Sequence, residues 1–228
     1  MAVWHLDEEL WFPNPCWGEE DGLVAIGGDL SPERLVLAYS NGFFPWYAYQ
    51  MEREPHWYCP LDRYVIFPGE IHISHSMRQL LKQQKYEVTV NQDFDGVIHG
   101  CSMAQGRNEE SGAWLGPDII EAFTRLHRLG CAASIEVWDS QKLVGGLYGV
   151  TLRSAFFGES MFSLVPNASK LALIHLAKAM ERQRVGDGTS GMQIDGRFID
   201  CQFETPLFKS MGGRHITYDE YMKLLNTL

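Results

Sequence analysis

The chain has 228 residues, 45% of them hydrophobic and 21% charged, the make-up of a globular protein with a real core. Its formal net charge is -10, the opposite sign to a protein that coats long stretches of nucleic acid, so that either there is no nucleic-acid partner or only a small part of one is gripped. No segment approaches the ~20 apolar residues of a membrane span. Residues 1–10 carry Asp7, Glu8 and Glu9 and no Lys or Arg, unlike a secretory signal. The expectation is a cytoplasmic protein with no membrane partner.

The first element in chain order is a helix. Ser31-Pro32-Glu33 supplies a capping hydroxyl, proline at the first helical position and an acid at the positive end of the dipole. Leu35, Val36, Ala38 and Tyr39 continue it, and Asn41-Gly42 ends it. A glycine-rich turn at 25–29 precedes it. Two loops dense in proline and aromatics, 43–47 and 55–60, follow. Residues 1–62 therefore read as a small, poorly regular N-terminal domain, and residues 63–228 as a second, larger domain.

The second part is more orderly. Met77, Leu80 and Leu81 mark a helix, 86–90 alternates as a strand, and Phe94, Val97, Ile98 and Cys101 mark a second helix. A polar loop, 105–111, leads to a helix at 117–129, closed by Gly130. Strands are expected at 133–138, 143–150 and 154–159. A long helix at 169–184 has Leu171, Ile174, Ala177 and Met180 on one face. A strand at 197–202, a short helix near 206–210 and a helix capped by Thr217, with Glu220 three residues on, complete the chain. The fold class is α/β (α+β). Its order of elements matches an acetyltransferase-like (GNAT-type) mixed sheet, an analogy of topology that does not give function.

Several segments could carry chemistry. In a strand over 197–202, alternation puts Asp200 and Gln202 on one face and turns Cys201 away. The pair is then either an acid that orients an amide toward a reacting group or the polar end of a sheet. Cys201 as a nucleophile lacks a neighbouring histidine to serve as base. Glu159 is flanked by Phe156, Phe157 and Phe162; a carboxylate among apolar groups costs free energy unless it is partnered. Trp46, Trp57 and Trp114 stand in loops, as stacking platforms for a base or as local packing. The five cysteines are odd in number and form no C-x-x-C, so neither a disulfide framework nor a zinc knuckle is suggested. His72-x-x-His75 has no accompanying acid or Cys at metal spacing. Gln183-Arg184-Val185-Gly186-Asp187-Gly188 formally matches a phosphate loop of acetyl-CoA enzymes. It follows a helix instead of preceding one, and a helix C-terminus repels phosphate.

Taken together the segments resemble one family, leucyl/phenylalanyl-tRNA–protein transferase. The matching stretches are Gly22-Leu23-Val24-Ala25-Ile26-Gly27-Gly28-Asp29-Leu30-Ser31-Pro32-Glu33-Arg34, Phe44-Pro45-Trp46, His72-Ile73-Ser74, Ser134-Ile135-Glu136-Val137-Trp138, Leu143-Val144-Gly145-Gly146-Leu147-Tyr148-Gly149-Val150, Phe157-Gly158-Glu159-Ser160-Met161-Phe162-Ser163 and Ile199-Asp200-Cys201-Gln202. They run in the family's order. The resemblance implies transfer of Leu or Phe, with Met as a further donor, from the 3′ end of an aminoacyl-tRNA to the N-terminal amine of a protein beginning with Arg or Lys. The product would be a destabilising N-terminus read by N-end-rule degradation, and no cofactor or metal is implied. Asp200 and Gln202 would be the catalytic pair. Glu159, counted with them, would hold the donor's α-amine or the cationic end of the acceptor. Trp46 and Trp114 would sandwich the terminal adenine. Leu147, Phe156, Met161 and Leu176 would form the pocket for the donor side chain. Tyr39, Ser163 and Thr205 complete the implied substrate-binding set, and Arg78, Lys82 and Lys85 are implied tRNA phosphate contacts. The chain departs from the pattern at Phe123, Thr205 and His75, where tyrosine, asparagine and arginine are usual, and at Leu147 and Leu176, where a relative has Met and Phe. The alternative is an acetyl-CoA-dependent N-acyltransferase on the same scaffold.

Overall fold

A computed structural model describes residues 3–46, 54–105, 115–184, 194 and 196–227. Strand β1 (Trp4–Leu6) lies parallel to β2 (Leu23–Gly27). Helix α1 (Pro32–Ser40) follows, its first turn capped by the Ser31 hydroxyl, which accepts from the Arg34 N–H. Strands β3 (Phe44–Pro45) and β4 (His56–Tyr58) complete a four-stranded sheet of order β1-β2-β4-β3. The expected irregularity of this part gives way to a sheet, though its strands are only two to five residues long.

A larger mixed sheet is built from β5 (Asp62–Ile66), β6 (Glu87–Val90), β7 (Ala132–Asp139), β8 (Lys142–Leu152), β9 (Ala155–Ser163), β10 (Phe198–Asp200) and β11 (Arg214–Thr217). Its order is β11-β5-β10-β9-β8-β7-β6. Only β9 and β10 run parallel; every other neighbour is antiparallel. Between the strands lie α2 (His75–Gln83), α3 (Phe94–Gln105), α4 (Pro117–Arg128), α5 (Ala168–Arg184), α6 (Pro206–Ser210) and α7 (Tyr218–Leu225). The structure adds β5 and β11 to the expected strands. β11 buries one residue of four and reads as polar, and β5 is short and follows a proline loop.

Two cores cover the two faces of the large sheet. One unites α1, α3, α4, α7 and the small sheet around Tyr39, Trp57, Tyr148, Phe157 and Tyr221. The other lies under α5, with Leu147, Phe156, Leu173, Leu176 and Met211. Gly145 and Gly146 of β8 let helices approach from both sides. A Cβ at Gly145 would collide with Ala168 of α5, and one at Gly146 would stand 3.1 Å from Val97 of α3 and 2.7 Å from the Ile135 carbonyl. No described helix is long and apolar enough to cross a membrane.

Candidate active site

The site forms where the large sheet splits. β10 pairs with β9 only through Phe198 with Ala155, Ile199 with Phe156 and Asp200 with Phe157. β9 then continues alone on that side to Ser163, while the chain leaving β10 turns away. The turn is made at Gln202, which has φ 58°, left-handed backbone that costs a non-glycine residue about 1 kcal/mol or more. A cavity of about 110 Å³ opens in the split. Its apolar wall is Leu147, Phe156, Met161, Leu173, Leu176, Ile199 and Phe208; Gly158, Glu159, Ser160, Cys201 and Gln202 line the rest.

A bulge aims Glu159. In the ladder with β8, Ser160 faces Tyr148 and Gly158 faces Gly149, so Glu159 is the extra residue. Such a bulge redirects a side chain. Glu159 is only partly exposed, and Tyr39 donates its hydroxyl to Oε1 at 2.8 Å. Burial pushes the carboxyl up to about 8 and Asp200 adds to the rise; the Tyr39 bond and the Arg63 charge oppose it.

The structure corrects the expected Asp200–Gln202 arrangement. Strand alternation ends at Asp200, so the two side chains do not share a face. Gln202 lines the cavity together with Ile199 and Cys201, whereas Asp200 is fully buried beneath it. The left-handed backbone at Gln202 is the physical reason: it breaks the alternation, and Gln202 lines the same cavity as Cys201. What joins the pair is the backbone, since Asp200 Oδ1 accepts the Gln202 N–H at 2.9 Å. Cys201 points toward the cavity rather than away from it. Burial and then the Asp200 charge hold its thiol well above the usual range, so it is no thiolate nucleophile.

Sequence reasoning missed the partner of Asp200. Arg63 of β5 grips it with two fingers, Nε to Oδ1 at 2.9 Å and Nη2 to Oδ2 at 2.8 Å, and Tyr221 donates to Oδ2 at 3.0 Å. Arg63 also donates through Nη1 to the Gly42 carbonyl, and its guanidinium lies between the Phe44 and Tyr221 rings at 4.9 and 4.8 Å. Burial alone would lower the Arg63 pKa; the Asp200 charge outweighs it and holds the group protonated. An arginine at the head of an apolar strand, Arg63-Tyr64-Val65-Ile66, was the available signal, because a buried charge requires a counter-charge.

The other expected residues divide. Leu147, Phe156, Met161, Leu176, Glu159 and Gln202 meet around the one cavity, and Tyr39 joins through Glu159. Trp46 is 44% exposed and stands near Tyr58 and Phe203, ring centres 5.3 and 5.7 Å apart, one residue beyond Gln202. Trp114 lies outside the described residues, as does 185–188 of the phosphate-loop match. The Ser163 hydroxyl accepts from the Ser169 N–H at 2.8 Å, at the start of α5. The Thr205 hydroxyl caps α6 by accepting from Phe208. Arg78 and Lys82 are exposed on α2, and Lys85 just past it extends over the Tyr86 ring; none of the three lines the cavity.

A glutamine on strained backbone, a perturbed carboxyl and a largely apolar cavity in one split of a sheet make a site that can seat an apolar side chain beside an amine. Comparisons with known proteins show the family of the chain. The family model described as leucyl/phenylalanyl-tRNA protein transferase matches residues 65–226, and that described as the N-terminal domain of the same family matches residues 28–61. A leucyl/phenylalanyl-tRNA–protein transferase of Syntrophobacter fumaroxidans is 44% identical over 226 residues, covering 99% of this chain and 90% of that protein. One from Anaeromyxobacter sp. is 42% identical with the same coverage, and one from Flavobacterium johnsoniae is 41% identical, covering 99% of this chain and 100% of that protein. The chain belongs to the leucyl/phenylalanyl-tRNA–protein transferase family.

Proposed function

We propose that this aminoacyltransferase moves Leu or Phe from aminoacyl-tRNA to the N-terminal amine of cytoplasmic proteins that begin with Arg or Lys, and so marks them for N-end-rule degradation. The observation that carries the reading is the largely apolar cavity that Glu159 and Gln202 also line. At about 110 Å³ it suits an isobutyl group and fits a phenyl ring closely; an engineered apolar cavity of about 150 Å³ takes benzene.

The reaction is aminolysis of an ester. The acceptor amine attacks the carbonyl carbon, the C–O bond to the ribose breaks, and the ribose oxygen leaves with a proton. An α-amine has a pKa of ~7.7–8.0, so about a tenth or more is neutral near pH 7. Holding amine and ester in register supplies up to ~7–11 kcal/mol of the barrier. Gln202 orients the amine through its amide oxygen; an amide is a weak base, so position outweighs proton abstraction. Asp200 is a positioning residue: it fixes the backbone of Gln202 from below. Glu159, neutral near pH 7 while the cavity is empty, ionises when a cation arrives and then holds it. Trp46, exposed beside Phe203, stacks the terminal adenine together with Trp114.

The deciding experiment offers labelled Leu-tRNA and Phe-tRNA with peptides that begin with Arg, Lys or Ala. Transfer to the Arg and Lys peptides is expected. Transfer to the Ala peptide alone, or to none, overturns the reading.

A further inference from the structure

One buried polar group beside the site has no bond. Tyr148 of β8 is fully buried, and its hydroxyl has no hydrogen-bond partner among the described residues. Phe94 of α3 and Phe123 of α4 meet its ring edge-on, with ring centres 5.7 and 5.6 Å away, and neither offers an oxygen. Nearly all buried polar atoms in folded proteins are paired, because an unpaired one forfeits its bonds to water. A phenylalanine would fill the same space without that cost. The hydroxyl is therefore a burden in the empty protein, and its partner belongs to another state.

The bulge in β9 supplies that partner. Tyr148 faces Ser160 across the ladder, and Glu159 is the residue inserted next to Ser160. Opposed residues stand about 5 Å apart at Cβ, so Tyr148 and Glu159 are close neighbours. Tyr39 of α1 already donates to Glu159 Oε1 and shares a core with Tyr148. Burial and then the Glu159 charge hold both phenols well above their usual range. Both therefore stay protonated and able to donate. A hydrogen bond to a carboxylate is about twice as strong as one to a neutral carboxyl.

We propose that Tyr148 is a positioning residue for the substrate's cation: when Glu159 holds that cation as a carboxylate, it accepts the Tyr148 hydroxyl as a second phenol donor beside Tyr39. The proposal rests on the transferase reading above. The carboxyl proton leaves to water, the cation pairs with the carboxylate, and both phenols keep their protons. Tyr148 does not line the cavity and acts only through Glu159. The other groups facing the pair are Asp200 of β10, Arg63 of β5 and Cys101 of α3. Asp200 opposes ionisation of Glu159 and Arg63 favours it, and the two are bonded to each other. Burial pushes the Cys101 thiol up to about 12, so it stays neutral.

The test is Tyr148→Phe in the whole protein, which removes the oxygen and keeps the ring. Its urea midpoint should equal or exceed that of the unmodified protein, since no bond is lost in the empty state. With Leu-tRNA and an Arg-initiated peptide near pH 7, kcat/KM should fall about tenfold, and the loss should fall more on KM than on kcat. That factor corresponds to a shift of about one pH unit in the Glu159 titration. The loss should therefore shrink as pH rises from about 7 to about 9 and the carboxylate forms in both proteins. A lower urea midpoint, a loss that does not vary with pH, or kcat/KM within about twofold of the unmodified protein at every pH overturns the proposal and leaves the transferase reading intact. Absence of transfer by the unmodified protein overturns both.

Discussion

Gln202 and Glu159 occupy conformations that an isolated chain would avoid, one in backbone and one in charge. Replacing Gln202 with Ala keeps the left-handed turn and removes only the amide. The expected result is a fall in single-turnover rate of about a hundredfold or more, with aminoacyl-tRNA affinity within about twofold; an unchanged rate removes Gln202 from the reaction. Glu159 yields a prediction about stability. Its carboxyl, with an ordinary value of 4.5, titrates at about 8 in the fold. Between those values the folded state holds a proton that the unfolded chain has released, so this group makes stability decline as pH rises from about 4.5 to about 8. Glu159→Gln should flatten that decline, seen as urea midpoints measured at pH 5, 6.5 and 8. Parallel curves for the two proteins would refute the assignment. At this scale the sequence pointed to side chains that the fold brings together, and not to how they are oriented. Six of the expected residues meet at the cavity, yet the turn at Gln202 depends on a single φ, which leaves no local signal, and the hold on Asp200 depends on an arginine 137 positions away, whose one signal is its place at the head of an apolar strand.

Among the elements, helices were legible and edges were not. α6 (Pro206–Ser210) matches the expected span, and α4 (Pro117–Arg128) and α5 (Ala168–Arg184) fall within a residue of theirs, because their caps and apolar faces are local properties. β5 and β11 escaped notice because their stability comes from each other: β11 pairs Arg214, His215, Ile216 and Thr217 against Val65, Tyr64, Arg63 and Asp62. The split between β9 and β10 was equally hidden, since it depends on pairing that stops after three residues. The role proposed for α2 in holding tRNA is separable from the cavity. Arg78 and Lys82 are one turn apart and exposed, with Lys85 beyond the left-handed cap at Gln84. Alanine at all three should weaken tRNA binding and reduce the slope of log affinity against log salt by about one for each lost phosphate contact. The rate of transfer at saturating tRNA should not change. A salt slope equal to that of the unmodified protein would exclude α2 from the tRNA interface.

For the whole molecule, the decisive object is the Arg63 guanidinium. It bonds Asp200 of β10 and the carbonyl of Gly42 after α1, and lies between Phe44 of β3 and Tyr221 of α7. The small sheet, the large sheet and the last helix therefore meet on one buried charge. Arg63→Ala leaves Asp200 buried without its counter-ion and should lower unfolding free energy by about 3–5 kcal/mol. Chemical denaturation measures this directly, and a loss below about 1 kcal/mol would show that solvent reaches Asp200. The same carboxylate that answers Arg63 also fixes the Gln202 N–H. Catalytic competence is thus tied to tertiary completion. A chain that has folded its central strands but not docked its final helix has every side chain of the proposed site and no assembled site. Partly folded molecules should be silent rather than imprecise, a form of self-inspection in an enzyme whose proposed product directs other proteins to destruction.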